Sequence, residues 1–211
     1  MNFKRVLVPA IALVTAASLA ACSNDDEPGH DMASMSSTEA GEQESPAEGD
    51  WFNQQDVDFA RMMVPHHEQA IEMSDVIVAK EGVDPQIVDP QITDLANQIK
   101  DAQGPEIEQL TTWLGEWGSP LPEFDSMDSM DHGSMDGMMS DEDMQALQDA
   151  QGAEAGRLFL EQMIVHHQGA IEMAQTEVDE GKNEDAVAMA QQIVDTQQAE
   201  ISTMEDLLAS L

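Results

Sequence analysis

The segment Phe59-Ala-Arg-Met-Met-Val-Pro-His-His-Glu-Gln-Ala-Ile-Glu-Met73 returns as Phe159-Leu-Glu-Gln-Met-Ile-Val-His-His-Gln-Gly-Ala-Ile-Glu-Met173. Every matched pair lies 100 positions apart, and Phe, Met, His-His and Ala-Ile-Glu-Met recur in register. A repeat of this length identifies an internal duplication, so the folded part is built from two similar halves, each with a His-His pair.

At about 100° per residue, Phe59, Met63, His66, His67, Ala70 and Met73 share one helical stripe, with Arg61, Glu68 and Glu72 opposite. Phe159, Met163, His166, His167, Ala170 and Met173 repeat the stripe. Met63 and Met163 stand three and four residues before the two histidines, the separations that meet on a helix surface. Thioethers and imidazoles therefore face a common core.

A second motif, Gln103-x-x-Glu106-Ile107, recurs as Gln197-x-x-Glu200-Ile201 at an offset of 94. Both copies lie within apolar stripes of further helices, predicted over 90–117 and 184–210. An acid in such a stripe is costly unless paired, and the histidines of the facing helices are the natural partners for Glu106 and Glu200. The first helix is predicted from Asn53 or Asp56 to about Lys80, ended by Gly82, with Pro65 placing a kink before the histidines. The third is predicted from Asp141 or Gly152 to Glu180, with breaks near Gly152 and Gly156. Gly104-Pro105 is predicted to bend the second. Two helical hairpins of this kind make an all-α, antiparallel four-helix bundle with approximate two-fold symmetry.

The remainder flanks that bundle. Lys4 and Arg5 precede an apolar run, Val6–Leu19, too short to span a bilayer, and Leu19-Ala-Ala-Cys22 resembles a bacterial lipobox. Residues 1–21 read as a lipoprotein signal peptide and Cys22, the one cysteine, as the lipidation site. Residues 22–51 are acidic and poor in large apolar groups, which predicts a disordered tether. The bundle domain takes 52–211, with halves 52–117 and 141–211. The loop between them, 118–140, carries Met127, Met130, His132, Met135, Met138 and Met139 among aspartates. It reads either as a solvated acidic linker or as a wrap of soft ligands for Cu(I) or Ag(I).

A net charge of −36 excludes a basic nucleic-acid footprint and favours cations or plain solubility. There is no phosphate-binding glycine loop and no nucleophile-like serine turn.

The motifs Asp56-x-x-Phe59-x-x-x-Met63-x-Pro65-His66-His67-x-x-Ala70-Ile71-x-Met73 and Gln103-x-x-Glu106-Ile107, with their second copies, resemble the bacterial domain of unknown function 305. The resemblance covers roughly residues 52–211 and departs at Gly156, which stands where the first copy has Asp56. It implies a ferritin-like bundle, a secreted or lipid-anchored location, and a link in some members to copper or silver binding. The motif residues it carries over are Met63, His66, His67, Met73, Met163, His166, His167 and Met173. Gln103, Glu106, Gln197 and Glu200 stand beside them as supporting groups or further ligands.

Three functions remain open on these grounds. One is a lipid-anchored extracytoplasmic protein that sequesters copper or silver through Met and His, with the metal ion and the membrane as its partners. The second is a structural or interaction bundle, homo-oligomeric or not, whose His/Glu core is a polar network fixing helix register. The third is a two-metal oxidoreductase, which needs Glu-x-x-His pairs; here Met63-x-x-His66 and Met163-x-x-His166 hold that spacing. Binding rather than catalysis is the expectation.

Overall fold

The computed structural model describes residues 51–83, 89–121 and 136–211. The expected signal peptide, Cys22, almost all of the expected tether, and Met127, Met130, His132 and Met135 lie outside the described residues.

Five helices and no strand occur among the described residues: α1 (Gln54–Val83), α2 (Pro90–Glu116), α3 (Asp141–Asp149), α4 (Ala153–Glu180) and α5 (Glu184–Ser210). Their starts follow capping chemistry. Asn53 Oδ1 accepts from the Asp56 backbone N–H at 3.1 Å, while Asp56 Oδ2 accepts from the Asn53 N–H. Asp89 caps α2 through the Gln91 N–H at 2.9 Å, followed by Pro90 at the first helical position. Ser140 and Asp143 form a capping box on α3. Asn183 caps α5 through the Ala186 N–H at 2.9 Å.

The predicted break near Gly152 is present and divides the third helix into α3 and α4: Ala150 turns extended and Gly152 takes φ +61°, a conformation suited to glycine. The differences from expectation lie at Gly156 and at the end of α1. Gly156 makes no break and lies buried inside α4. The first helix runs through Gly82 to Val83, past the expected end at Lys80.

α1 packs on α2 and α4 on α5, giving the two hairpins, and α1 packs on α4 to join them. α3 rests on α1 and α4. α2 and α5 complete the circuit of the bundle without close helix-to-helix packing.

The core is divided. One apolar cluster holds Met73 and Ile77 of α1, Ile92 to Ile99 of α2, Phe159 to Met163 of α4 and Ile201 to Leu207 of α5. The other holds Val57 to Val64, Leu110 to Trp117, Ala170, Ala174 and Ala186 to Ile193. These are opposite ends of the same antiparallel helices. Phe59 and Phe159 are wholly buried, one in each cluster, each stabilising the fold by roughly 1.5–3 kcal/mol. Between the clusters runs a buried polar layer of His66, His67, Gln103, His166, His167 and Gln197.

Candidate metal centre

The four histidines of the polar layer divide into two kinds. His67 Nε2 lies 2.9 Å from Glu106 Oε2, and His167 Nε2 lies 2.7 Å from Glu200 Oε2. The predicted Glu–His pairing is thus present in each hairpin. Each pair joins a wholly buried imidazole to a carboxylate that keeps a seventh or so of its side chain exposed (14% and 15%). His66 and His166 meet one another instead, ring centroids 3.8 Å apart and planes tilted by 43°.

No side chain hydrogen-bonds a ring nitrogen of His66 or His166, which have only the Asp136 and His66 backbones beside them, and the Nδ1 atoms of His67 and His167 lack a partner as well. Burial pushes the His66 imidazolium down to about 3; the neighbouring His67 adds to this, and the Asp136 backbone beside the ring opposes it only in part. His166 is held well below the usual histidine range, first by burial and then by His66. Both rings are therefore neutral near pH 7, each with one nitrogen lone pair available to a ligand.

Methionines lie in the apolar clusters on both sides of this layer. Met73 and Met163 belong to one apolar cluster and Met63 to the other, all three wholly buried. Met173 is part-buried and packs against the cluster that contains Met63. Gln103 and Gln197 are buried, each with an unpartnered Oε1.

The end of the central loop is part of the core, against its reading as pure linker. Met139 is buried in the cluster of Met73 and Met163, and Met138 is half-buried. Gln69 grips the Met139 backbone twice: its Nε2 donates to the carbonyl at 2.9 Å, and its Oε1 accepts from the N–H at 2.7 Å. On the other helix, a Cβ on Gly169 would stand 2.0 Å from the Asp136 carbonyl oxygen, so only glycine lets this strand of chain lie against α4. Residues 136–139 thus form a strap across α1 and α4.

A second buried polar cluster escaped the sequence reading. Asp56 is more than a cap: its Oδ1 accepts from the backbone N–H groups of Lys182 and Asn183 at 2.9 and 2.8 Å, fastening the α4–α5 turn to the start of α1. Glu177 is wholly buried beside it, its carboxyl pushed up to about 9 by burial and then by Asp56. The signal lay in departures from the repeat: Glu177 stands where the first copy has Ile77, and Gly169 where it has Gln69.

Among the described residues no three His, Cys, Asp or Glu converge as a ligand set. The imidazoles of His66 and His166 meet in the layer, and the methionines lie in the apolar clusters on either side of it; both donor types suit soft cations.

No functionally curated protein matches the chain in a sequence comparison. Solved structures do match. A DUF305 fragment from Deinococcus radiodurans is 32% identical, with TM-score 0.65, over 76% of this chain and 99% of that one. CopM in its Cu(II)-bound form is 31% identical, with TM-score 0.61, over 74% and 96%. CopM in its Cu(I)-bound form is 29% identical, with TM-score 0.58, over the same shares. The family described as Domain of unknown function (DUF305) matches residues 56–208, and the chain belongs to it.

Proposed function

We propose that this protein binds a soft monovalent cation, Cu(I) or Ag(I), in the polar layer of its bundle and serves to sequester it. His66 and His166 supply neutral imidazole, and Met63, Met73, Met163 and Met173 the neighbouring thioethers. The observation that carries the reading is the His66–His166 contact: two buried, neutral rings with no side-chain hydrogen bond to any of their four nitrogens, and only the Asp136 and His66 backbones beside them. Buried polar atoms left this way cost stability, roughly 1–3 kcal/mol each, and a bound cation removes that cost. CopM, which shares the fold at about 30% identity, has structures with Cu(I), Cu(II) and Ag bound. We place the protein outside the cytoplasm, tethered by lipid on Cys22, on the strength of the lipobox-like Leu19-Ala-Ala-Cys22.

One observation favours a structural role for half of the layer. His67 and His167 are already engaged by Glu106 and Glu200 and would fix helix register without any metal.

The test is a Cu(I) titration of the full chain in mild detergent against a coloured competing chelator. It is run beside His66→Leu/His166→Leu and a deletion of residues 125–135, which leaves the strap intact. Loss of tight binding in the Leu pair, with helicity kept, places the cation in the bundle. Loss only on deletion makes the loop the trap and overturns the bundle site.

A further inference from the structure

We infer that Glu106 and Glu200 are two ports through which a cation passes from solvent to the histidine layer, one in each hairpin. The inference rests on the metal reading above and concerns how the site is reached.

The α1–α4 side of the bundle is covered. The strap at 136–139 is pinned by Gln69 and pressed on Gly169, and α3 rests beside it on both helices. On the α2–α5 side the two helices pack less closely than the partners of each hairpin do, and meet through side chains of both apolar clusters. Two clefts lie between them. One, of about 370 Å³, is lined by Glu106, Gln109, Trp113, Asp185, Met189 and Gln192 among others. The other, of about 610 Å³, is lined by Asp94, Gln98, Thr196, Glu200 and Thr203 among others. At ~30 Å³ per water, either holds a cation with several of its waters.

The two clefts are unlike in detail and alike in one respect. Each contains the single carboxylate that bonds a wholly buried histidine. Each adds a second acid, Asp185 or Asp94, and neither is lined by a basic residue, a combination that concentrates cations. The histidine behind each carboxylate has the form of a relay. Its Nε2 faces the glutamate, and its Nδ1 is buried without a partner. A cation taken from water by the carboxylate meets imidazole next, and beyond it the His66–His166 pair. No covalent or redox step is involved; waters are exchanged for protein donors.

Loading kinetics separate a port from a ligand. The full chain is mixed with Ag(I) held on a weak chelator, and rate and final occupancy are read independently. Glu106→Gln and Glu200→Gln keep a hydrogen-bonding group on each histidine and remove the charge. Each alone is expected to slow loading about two-fold, and both together at least ten-fold, with equilibrium affinity unchanged. Glu172→Gln/Glu205→Gln, at exposed sites away from the clefts, controls for net charge and is expected to load like the native chain. Ala188→Phe/Ala199→Phe fills the two clefts while keeping every residue of the two Glu–His pairs and is expected to slow loading likewise. Native-rate loading by the double Gln variant and the double Phe variant overturns the ports. So does a fall in affinity as large as the fall in rate, which makes the glutamates ligands. A native chain that takes up no Ag(I) overturns the metal reading itself, and is told apart by its zero occupancy.

Discussion

His66 and His67 are neighbours in sequence, yet His67 has a carboxylate on its outer nitrogen and His66 has no side-chain hydrogen bond, only the Asp136 backbone beside its ring. This difference sets the response to acid. Because the His66 imidazolium is pushed down to about 3, protons do not compete for its lone pair in the ordinary range. Ag(I) affinity, measured by chelator competition, is expected to change less than two-fold between pH 7.5 and 5. A site on an unperturbed imidazole of pKa ≈ 6.5 would lose about thirty-fold over that span; a loss of that size would remove His66 and His166 from the site. The same neutral rings make a stability prediction. His66→Leu/His166→Leu replaces unpartnered polar atoms with apolar ones of similar volume between two apolar clusters. The apo variant is expected to resist urea at least as well as the native chain, by up to about 3 kcal/mol, whereas a structural role for this pair requires a loss. The repeat exposed all four histidines and both glutamates, because each recurs at fixed spacing. It could not assign them. Which imidazole of His-His turns to its own hairpin and which crosses to the other depends on helix rotation within the bundle, and one stripe of sequence does not define that angle.

Gly169 and Gln69 occupy equivalent positions in α4 and α1 and hold the same strap in different ways. One permits close approach and the other donates and accepts hydrogen bonds. Gly169→Ala drives a Cβ into the Asp136 backbone, which a rotamer change cannot relieve. The expected cost is about 1–3 kcal/mol, together with faster hydrogen exchange at the Met139 amide, which Gln69 protects. Unchanged exchange there would mean that the strap is not held at this point. At this scale the sequence was legible where local chemistry decides the outcome. The helix starts predicted at 90 and 184 fall where Asp89 and Asn183 cap α2 and α5, and the apolar period marked the buried faces. It was not legible where a distant element decides. Met139 sits among aspartates and methionines with no periodic apolar neighbours, and becomes core only because α1 and α4 are there to receive it. The break at Ala150–Gly152 was visible as a glycine. That Gly156, a few residues on, is simply buried helix depends on packing.

The whole molecule carries a net charge of −36, so compaction works against self-repulsion, and both salt and mild acid should stabilise it. Glu177 adds a dependence on pH that salt does not remove. Its carboxyl is pushed up to about 9 in the fold, first by burial and then by Asp56, whose Oδ1 is held by the Lys182 and Asn183 N–H groups. The unfolded chain releases that proton near pH 4.5. Between these values the folded state binds one proton more than the unfolded state, so stability falls as pH rises, by at most about 1.4 kcal/mol per pH unit. His66 acts in the opposite sense below its window: its folded pKa is depressed, so stability falls as pH drops from about 6.5 toward 3. The two effects together predict a stability maximum on the acid side of neutrality. Urea unfolding from pH 6 to 8.5 in 0.5 M NaCl, where exposed charges are screened, isolates the buried group. The native chain is expected to lose stability steadily across that range, and Glu177→Gln, which keeps a neutral hydrogen-bonding group beside Asp56, to show a flatter profile and to overtake the native chain at the alkaline end. A variant as steep as the native chain would assign the slope to the surface charge instead and free Glu177 from any part in closing the α4–α5 turn against α1.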